Sequence, residues 1–365
     1  MCKGKIFVLG PSASVLSVIY RQPRSVQFLH RIRHCQTWRK VLARSCNQGN
    51  DEGDLDDGFS RSALQSGLSS ARSGFIEVLS AIAISRFKAD ELEKSEQNLT
   101  NTSSFVTDFQ SSSFDLQENA EDVGYSKLDL RIPGFSFSAA GLLFPYHLGV
   151  GKCLIEHGYI TEKTSLSGSS AGAIVCAVIA SGLSMEDAML ATKELASDCR
   201  KNGTAFRLGA VLRRCLEDCL PEDAHCRSSG RIRVAVTQLF QSPRALLVEH
   251  FFSKKDLIDA LLTSSFIPGY LAPRPVTLYR KRFCIDGGLT SFMPPTAAEH
   301  TVRVCAFPAT QLGLQNVGIS PDCNPVGRAS TRQLLKWALN PAAEDVLEQL
   351  FDLGYRDALV WVQEK

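Results

Sequence analysis

Residues 166–172 read LSGSSAG, with two adjacent serines between Gly168 and Gly172. The G-x-S-x-G pattern puts Ser170 at its centre, the place of a nucleophile on a sharp strand-to-helix turn. Small flanking residues let the chain pass close by such a turn. On this reading Ser169 is a small spacer. The structural alternative needs no chemistry: either serine can cap the N-terminus of the following helix. A serine becomes a useful nucleophile only when a base takes its proton. Downstream, the bases on offer are His225, His250, His300 and Asp286 in FCIDGGL. Asp286 ends an apolar strand and precedes Gly287 and Gly288, so its carboxylate can face a cleft; an Asp-Gly turn is the plainer reading. A Ser170–Asp286–His300 triad and a Ser170–Asp286 dyad both remain open. His300 precedes a strand, whereas sites in such sheets gather where strands end, which disfavours the triad.

The surrounding pattern supplies elements to hold these groups. GFSFS at 134–138 reads as a strand, 146–158 as a helix ending at a glycine, and 164–167 as a short buried strand. Residues 171–182 form a strongly apolar helix. Helices near 184–202 and 206–219 follow, then strands at 231–240 and 245–251. A helix at 254–263, strands near 276–285 and 301–307, and helices near 330–339 and 342–353 complete the chain. Strands alternating with helices predict an α/β fold with a mostly parallel sheet.

The 365 residues carry a net charge of only +2, but its distribution is uneven. Residues 1–50 hold nine Lys or Arg and no Asp or Glu, residues 51–130 six basic and sixteen acidic side chains, and the remainder twenty-five and twenty-two. An acid-free, Arg-rich, Ser-containing start resembles an organelle transit peptide, with plastid favoured over mitochondrion. The alternative is a basic arm for anionic surfaces. The apolar stretch at 6–20 is too short and broken to span a membrane. Residues 75–94 predict an amphipathic helix, and the Ser-, Asn- and Gln-rich stretch at 95–128 a linker. The expected organisation is therefore 1–70 as transit peptide and unpacked segment, 71–130 as helix and linker, 131–310 as the catalytic domain, and 311–365 as a helical extension packed on it. Twelve cysteines spread through apolar runs suggest a reduced compartment.

Two other constellations carry less. Cys215, Cys219, Cys226 and His225 are zinc-compatible ligand types, but they lack a tight paired spacing and Pro221 interrupts them, so no metal is expected. Arg213, Arg214, Arg227, Arg231 and Arg233 suit either lipid headgroups or a solvated strand face. Basic runs without interleaved aromatics argue against nucleic-acid binding.

Taken together, GSSAG, SFIPGY and DGG, in that order, resemble the patatin-like phospholipases. FSFSAAGLLFPYHLGVGKCLIEHG is most similar to the branch containing adipose triglyceride lipase. The resemblance covers about residues 132–300. It implies a three-layer α/β/α fold and a Ser170–Asp286 dyad that forms an acyl-enzyme on a lipid ester without metal or cofactor. It also implies an oxyanion loop near residues 139–144. The expected substrates are phospholipid, galactolipid or acylglycerol, met peripherally at a membrane or lipid-droplet surface. The oxyanion loop departs from the family: Ala139 and Ala140 precede the single retained glycine, Gly141, and Leu143 and Phe144 replace a basic residue and a glycine. Phe292 stands where the family often has Asn, with Pro294 retained. Backbone N–H donors tolerate alanine where φ is negative. These departures keep open a catalytically weak lipid- or partner-binding protein, and the acyl-enzyme keeps open an acyltransferase.

Overall fold

In the structure, a computed structural model, residues 128–239 and 242–365 are described. The expected transit peptide, the helix at 75–94 and almost all of the polar linker lie outside them. Among the described residues seven strands form one mixed sheet: β1 (Gly134–Phe137), β2 (Leu166–Ser169), β3 (Ile232–Leu239), β4 (Pro243–Val248), β5 (Thr277–Tyr279), β6 (Arg282–Ile285) and β7 (Thr301–Val304). Their order is β5-β6-β3-β2-β1-β7, with β4 also paired to β3. Four neighbouring strands, β7, β1, β2 and β3, run parallel, and the pairings of β3 with β4 and β6, and of β5 with β6, are antiparallel. The fold is α/β, as expected.

The helices are α1 (Phe144–Glu156), α2 (Ala171–Ser181), α3 (Met185–Asn202), α4 (Leu208–Cys219), α5 (Ala224–Ser228), α6 (Lys254–Ser264), α7 (Thr331–Leu339) and α8 (Glu344–Gln363). All eleven residues of α2 are buried, which accounts for its uninterrupted apolar run. It stops at Gly182, in the left-handed conformation.

Central strands buried on both faces usually read as continuous Val, Ile and Leu. Here β1 and β2 instead interleave buried serines, each of which needs an acceptor. Ser136 and Ser167 both donate to the carbonyl of Pro294 at 2.6 Å, and Ser169 donates to that of Phe292 at 2.9 Å. The segment after Asp286 is thereby pinned across the sheet. Ser169 is not a mere spacer: its hydroxyl is one of these pins.

Two elements differ from expectation. The strand expected over 276–285 is a hairpin, turning at Arg280 and Lys281 with φ of 45° and 61°. A two-residue hairpin turn of type I′ needs positive φ at both positions, and Asn-Gly pairs usually advertise it. The last helix runs through Gly354 to Gln363 instead of stopping near 353. Gly354 serves packing here, because a methyl group on it would overlap the backbone carbonyl of Tyr146 in α1. Gly149 of α1 meets the carbonyl of Phe351 of α8 in the same way, so the two helices pack backbone to backbone. Beside this seam the buried Asp357 accepts from the Tyr146 hydroxyl at 2.7 Å and pairs with Arg328.

Candidate active site

Register brings Ser170 and Asp286 together. Ser169, the last residue of β2, pairs with Ala235 of β3. Ile285, the last residue of β6, pairs with Thr237 on the same side of β3. The two strands therefore meet end to end at the level of Val236, one arriving from each direction. The next residue of each is Ser170 and Asp286. The Ser170 hydroxyl lies close enough to the Asp286 carboxylate to favour its charged form, and that carboxylate accepts from the Gly288 N–H at 2.7 Å. The Asp286 N–H is fixed by the Phe266 carbonyl at 2.9 Å, and its carbonyl by the Thr237 hydroxyl at 2.7 Å.

Ser170 has φ 52° and ψ −123°, a conformation that L side chains seldom adopt. Its own N–H is held by the Ser264 hydroxyl at 2.8 Å. The turn closes only because residues 168 and 172 lack side chains. A Cβ on Gly168 would overlap the Gly172 backbone, and one on Gly172 the Phe137 carbonyl. Ser170 precedes α2 without a side-chain cap bond, so its hydroxyl is not consumed as an N-cap.

Burial pushes the Asp286 carboxyl up to about 7, opposed by the Gly288 N–H and then by the Ser170 hydroxyl. It is thus a carboxylate poised to hold a proton near neutrality. None of His225, His250 and His300 hydrogen bonds to either residue. His300 precedes β7, where its carbonyl accepts from the Gly134 N–H at the start of β1, the strand end away from Ser170.

The loop before α1 is a tight turn, Gly141–Leu143, with Gly141 at φ 56°. The one retained glycine stands where a side chain would be strained and would also strike the Ala338 carbonyl of α7. The Ala139 N–H donates to the Phe292 carbonyl at 3.2 Å. Among the described residues the N–H groups of Ala140, Gly141, Leu142 and Ala171 have no acceptor. Phe292 thus contributes through its backbone carbonyl, and its side chain is buried. His147 of α1 braces the same loop: its Nε2 lies 3.0 Å from the Ser138 carbonyl. Burial, opposed by that hydrogen bond, pushes the His147 ring down to about 4, leaving it neutral. The sequence pattern marked neither His147 nor Ser264 and read Ser169 only as a spacer or cap, since each acts through a backbone group outside its own motif.

A cavity of about 110 Å³ opens at Ser170 and runs between α2, α3 and α4, lined almost wholly by apolar side chains. Cys215 and Cys219 line it, whereas Cys226 lines a separate depression, so the cysteine cluster is split between two places. Four of the five clustered arginines have local partners: Arg213 with Asp259, Arg227 with Asp223, Arg233 with Glu249, and Arg231 with the Thr161 carbonyl.

Residues 135–299 match the family model described as patatin-like phospholipase. The chain is 30% identical over 241 residues to human patatin-like phospholipase domain-containing protein 4, covering 61% of this chain and 94% of that protein. The chain belongs to the patatin-like phospholipase family. Other relatives in the family are larger. Rat patatin-like phospholipase domain-containing protein 2 is 31% identical over 61% of this chain and 49% of its own length. A human protein named 1-acylglycerol-3-phosphate O-acyltransferase PNPLA3 is 33% identical over 47% and 37% respectively. The chain thus spans about half the length, or less, of these larger relatives. Among the described residues no helix is long and apolar enough to cross a membrane.

Proposed function

We propose that this patatin-like chain hydrolyses carboxylic esters of long-chain acyl lipids through Ser170 and Asp286. The observation that carries the reading is a strained serine beside a buried carboxylate, at the mouth of an apolar cavity. Ser170 Oγ attacks the ester carbonyl carbon, and its proton passes to Asp286. The carbonyl electron pair moves to oxygen, where free N–H groups of the Gly141 turn and of Ala171 receive it. Collapse expels the alcohol with the proton from Asp286 and leaves an acyl-serine. Water, deprotonated by Asp286, then releases the fatty acid and restores Ser170. The dyad needs neither metal nor cofactor. Phospholipid, galactolipid and acylglycerol all present such an ester, at a membrane or droplet surface that the chain meets peripherally.

Ser170→Ala should remove ester hydrolysis, and Asp286→Asn should lower it by at least a hundredfold. A lipid-panel assay with Ser170→Ala as control tests this, and retained turnover in that variant sinks it. Labelling of Ser170 by a fluorophosphonate separates an enzyme from a lipid-binding protein without catalysis. Acyl transfer is a second reading, supported by the acyltransferase name of one relative. It follows if an alcohol replaces water at the acyl-serine, and added glycerol would then collect acyl groups at the expense of free fatty acid.

A further inference from the structure

The cavity at Ser170 follows one face of α2. Ser170, Ile174 and Val178 recur at four-residue spacing along it, and the far wall is the Leu212, Cys215 and Cys219 face of α4. At the C-terminal end of α2, Gly182 turns the chain and Leu183 closes the cavity. Behind Leu183 lies a second, much larger depression of about 900 Å³, rimmed by Lys152, Arg227 and Arg231. Leu183 is the one side chain that lines both spaces. It is half-buried and packs on the main core.

We infer, on the reading that Ser170 carries an acyl group, that Leu183 is the end stop of the acyl pocket and sets acyl length. The walls determine what enters. Thr192 is one of the few polar side chains there, and its hydroxyl is already given to the Ala188 carbonyl at 2.7 Å. Such a lining suits hydrocarbon and offers nothing to a headgroup. The geometry sets the length. Eleven residues of α2 span about 16 Å at the usual helical rise. A zigzag of carbon–carbon bonds of about 1.5 Å advances about 1.25 Å per carbon, so about 13 carbons span the distance to Leu183. The resting space of about 110 Å³ is smaller than the cavity of about 150 Å³ that holds one benzene, so α2 and α4 must part as the chain enters. Longer chains must displace Leu183 into the depression behind it.

The test is hydrolysis of p-nitrophenyl esters from butyrate to stearate by the full chain, with Ser170→Ala subtracted. The native profile should fall beyond about C14. Leu183→Ala joins the two spaces and should raise the stearate-to-laurate ratio about tenfold. Leu183→Trp, and separately Val178→Phe, should move the optimum to shorter chains. Two variants of opposite direction plus one at another position keep the test decisive if one fails to fold. A profile that ignores these changes while Ser170-dependent turnover persists overturns the end stop alone. Absence of Ser170-dependent turnover in the native chain sinks the hydrolase reading and this inference with it.

Discussion

Asp286 bears the electrostatic cost of burying a carboxyl group. Its carboxyl sits at about 7 because it is buried, against an ordinary value of 3.8. The proposed base works only when ionised. The rate constant at low substrate should therefore rise about tenfold per pH unit below 7 and level off above it. A midpoint near 4 in the pH–rate profile would mean that the carboxylate is solvated in the working enzyme. The same shift acts on stability. Folded Asp286 holds a proton that the unfolded chain has released, so folding takes up a proton between about pH 4 and pH 7. Its contribution to stability is full below pH 4 and lost as pH rises through 7, a swing of the order of 4 kcal/mol. Asp286→Asn should match the native chain in urea midpoint at pH 3 and exceed it increasingly up to pH 8. Equal midpoints at both values would contradict the burial. At this scale the sequence was most legible for Ser170 and Asp286, because the small residues that their turns require are written beside them. The brackets around them were not legible, because Ser169 and Ser264 serve backbone groups far along the chain and His147 one outside the motif.

The elements were legible where periodicity and burial agree, as in α2, whose whole surface is core. They were misread where a local signal served a distant contact. The helix expected near 342–353 stops just short of Gly354, and glycine destabilises a helix interior by about 1 kcal/mol relative to alanine. The reason for Gly354 is the Tyr146 carbonyl, which leaves no room for a methyl group. The two effects oppose each other in Gly354→Ala. The propensity gain is about 1 kcal/mol, whereas overpacking against a backbone atom costs about 1–3 kcal/mol, so the clash wins. The variant should unfold at lower urea than the native chain. A higher midpoint would show that α1 and α8 do not approach backbone to backbone. Similarly, Arg280 and Lys281 are poor advertisements for a turn, and only the pairing of Leu278 with Phe283 exposes the hairpin.

Across the whole molecule, the site depends on chain far beyond the matched family segment. The turn at Gly141 abuts Ala338 of α7, and the Tyr270 hydroxyl donates to the Leu339 carbonyl at 2.6 Å. Ala338 also lines the cavity at Ser170. Helix α8 then covers α1, the helix that continues directly from that turn, and Asp357 closes the seam on Tyr146 and Arg328. These contacts run from the segment expected over 311–365 to the segment that matches the family. Removing residues 330–365 would expose the Tyr146 and Gly149 face of α1 and free the Gly141 turn, while leaving Ser170, Asp286 and every strand of the sheet in the chain. The shortened chain should therefore lose fluorophosphonate labelling at Ser170 and bind a hydrophobic dye. Ser170→Ala in the full chain, by contrast, should lose labelling without dye binding. Labelling of the shortened chain at the native rate would show that the oxyanion turn assembles without α7 and α8.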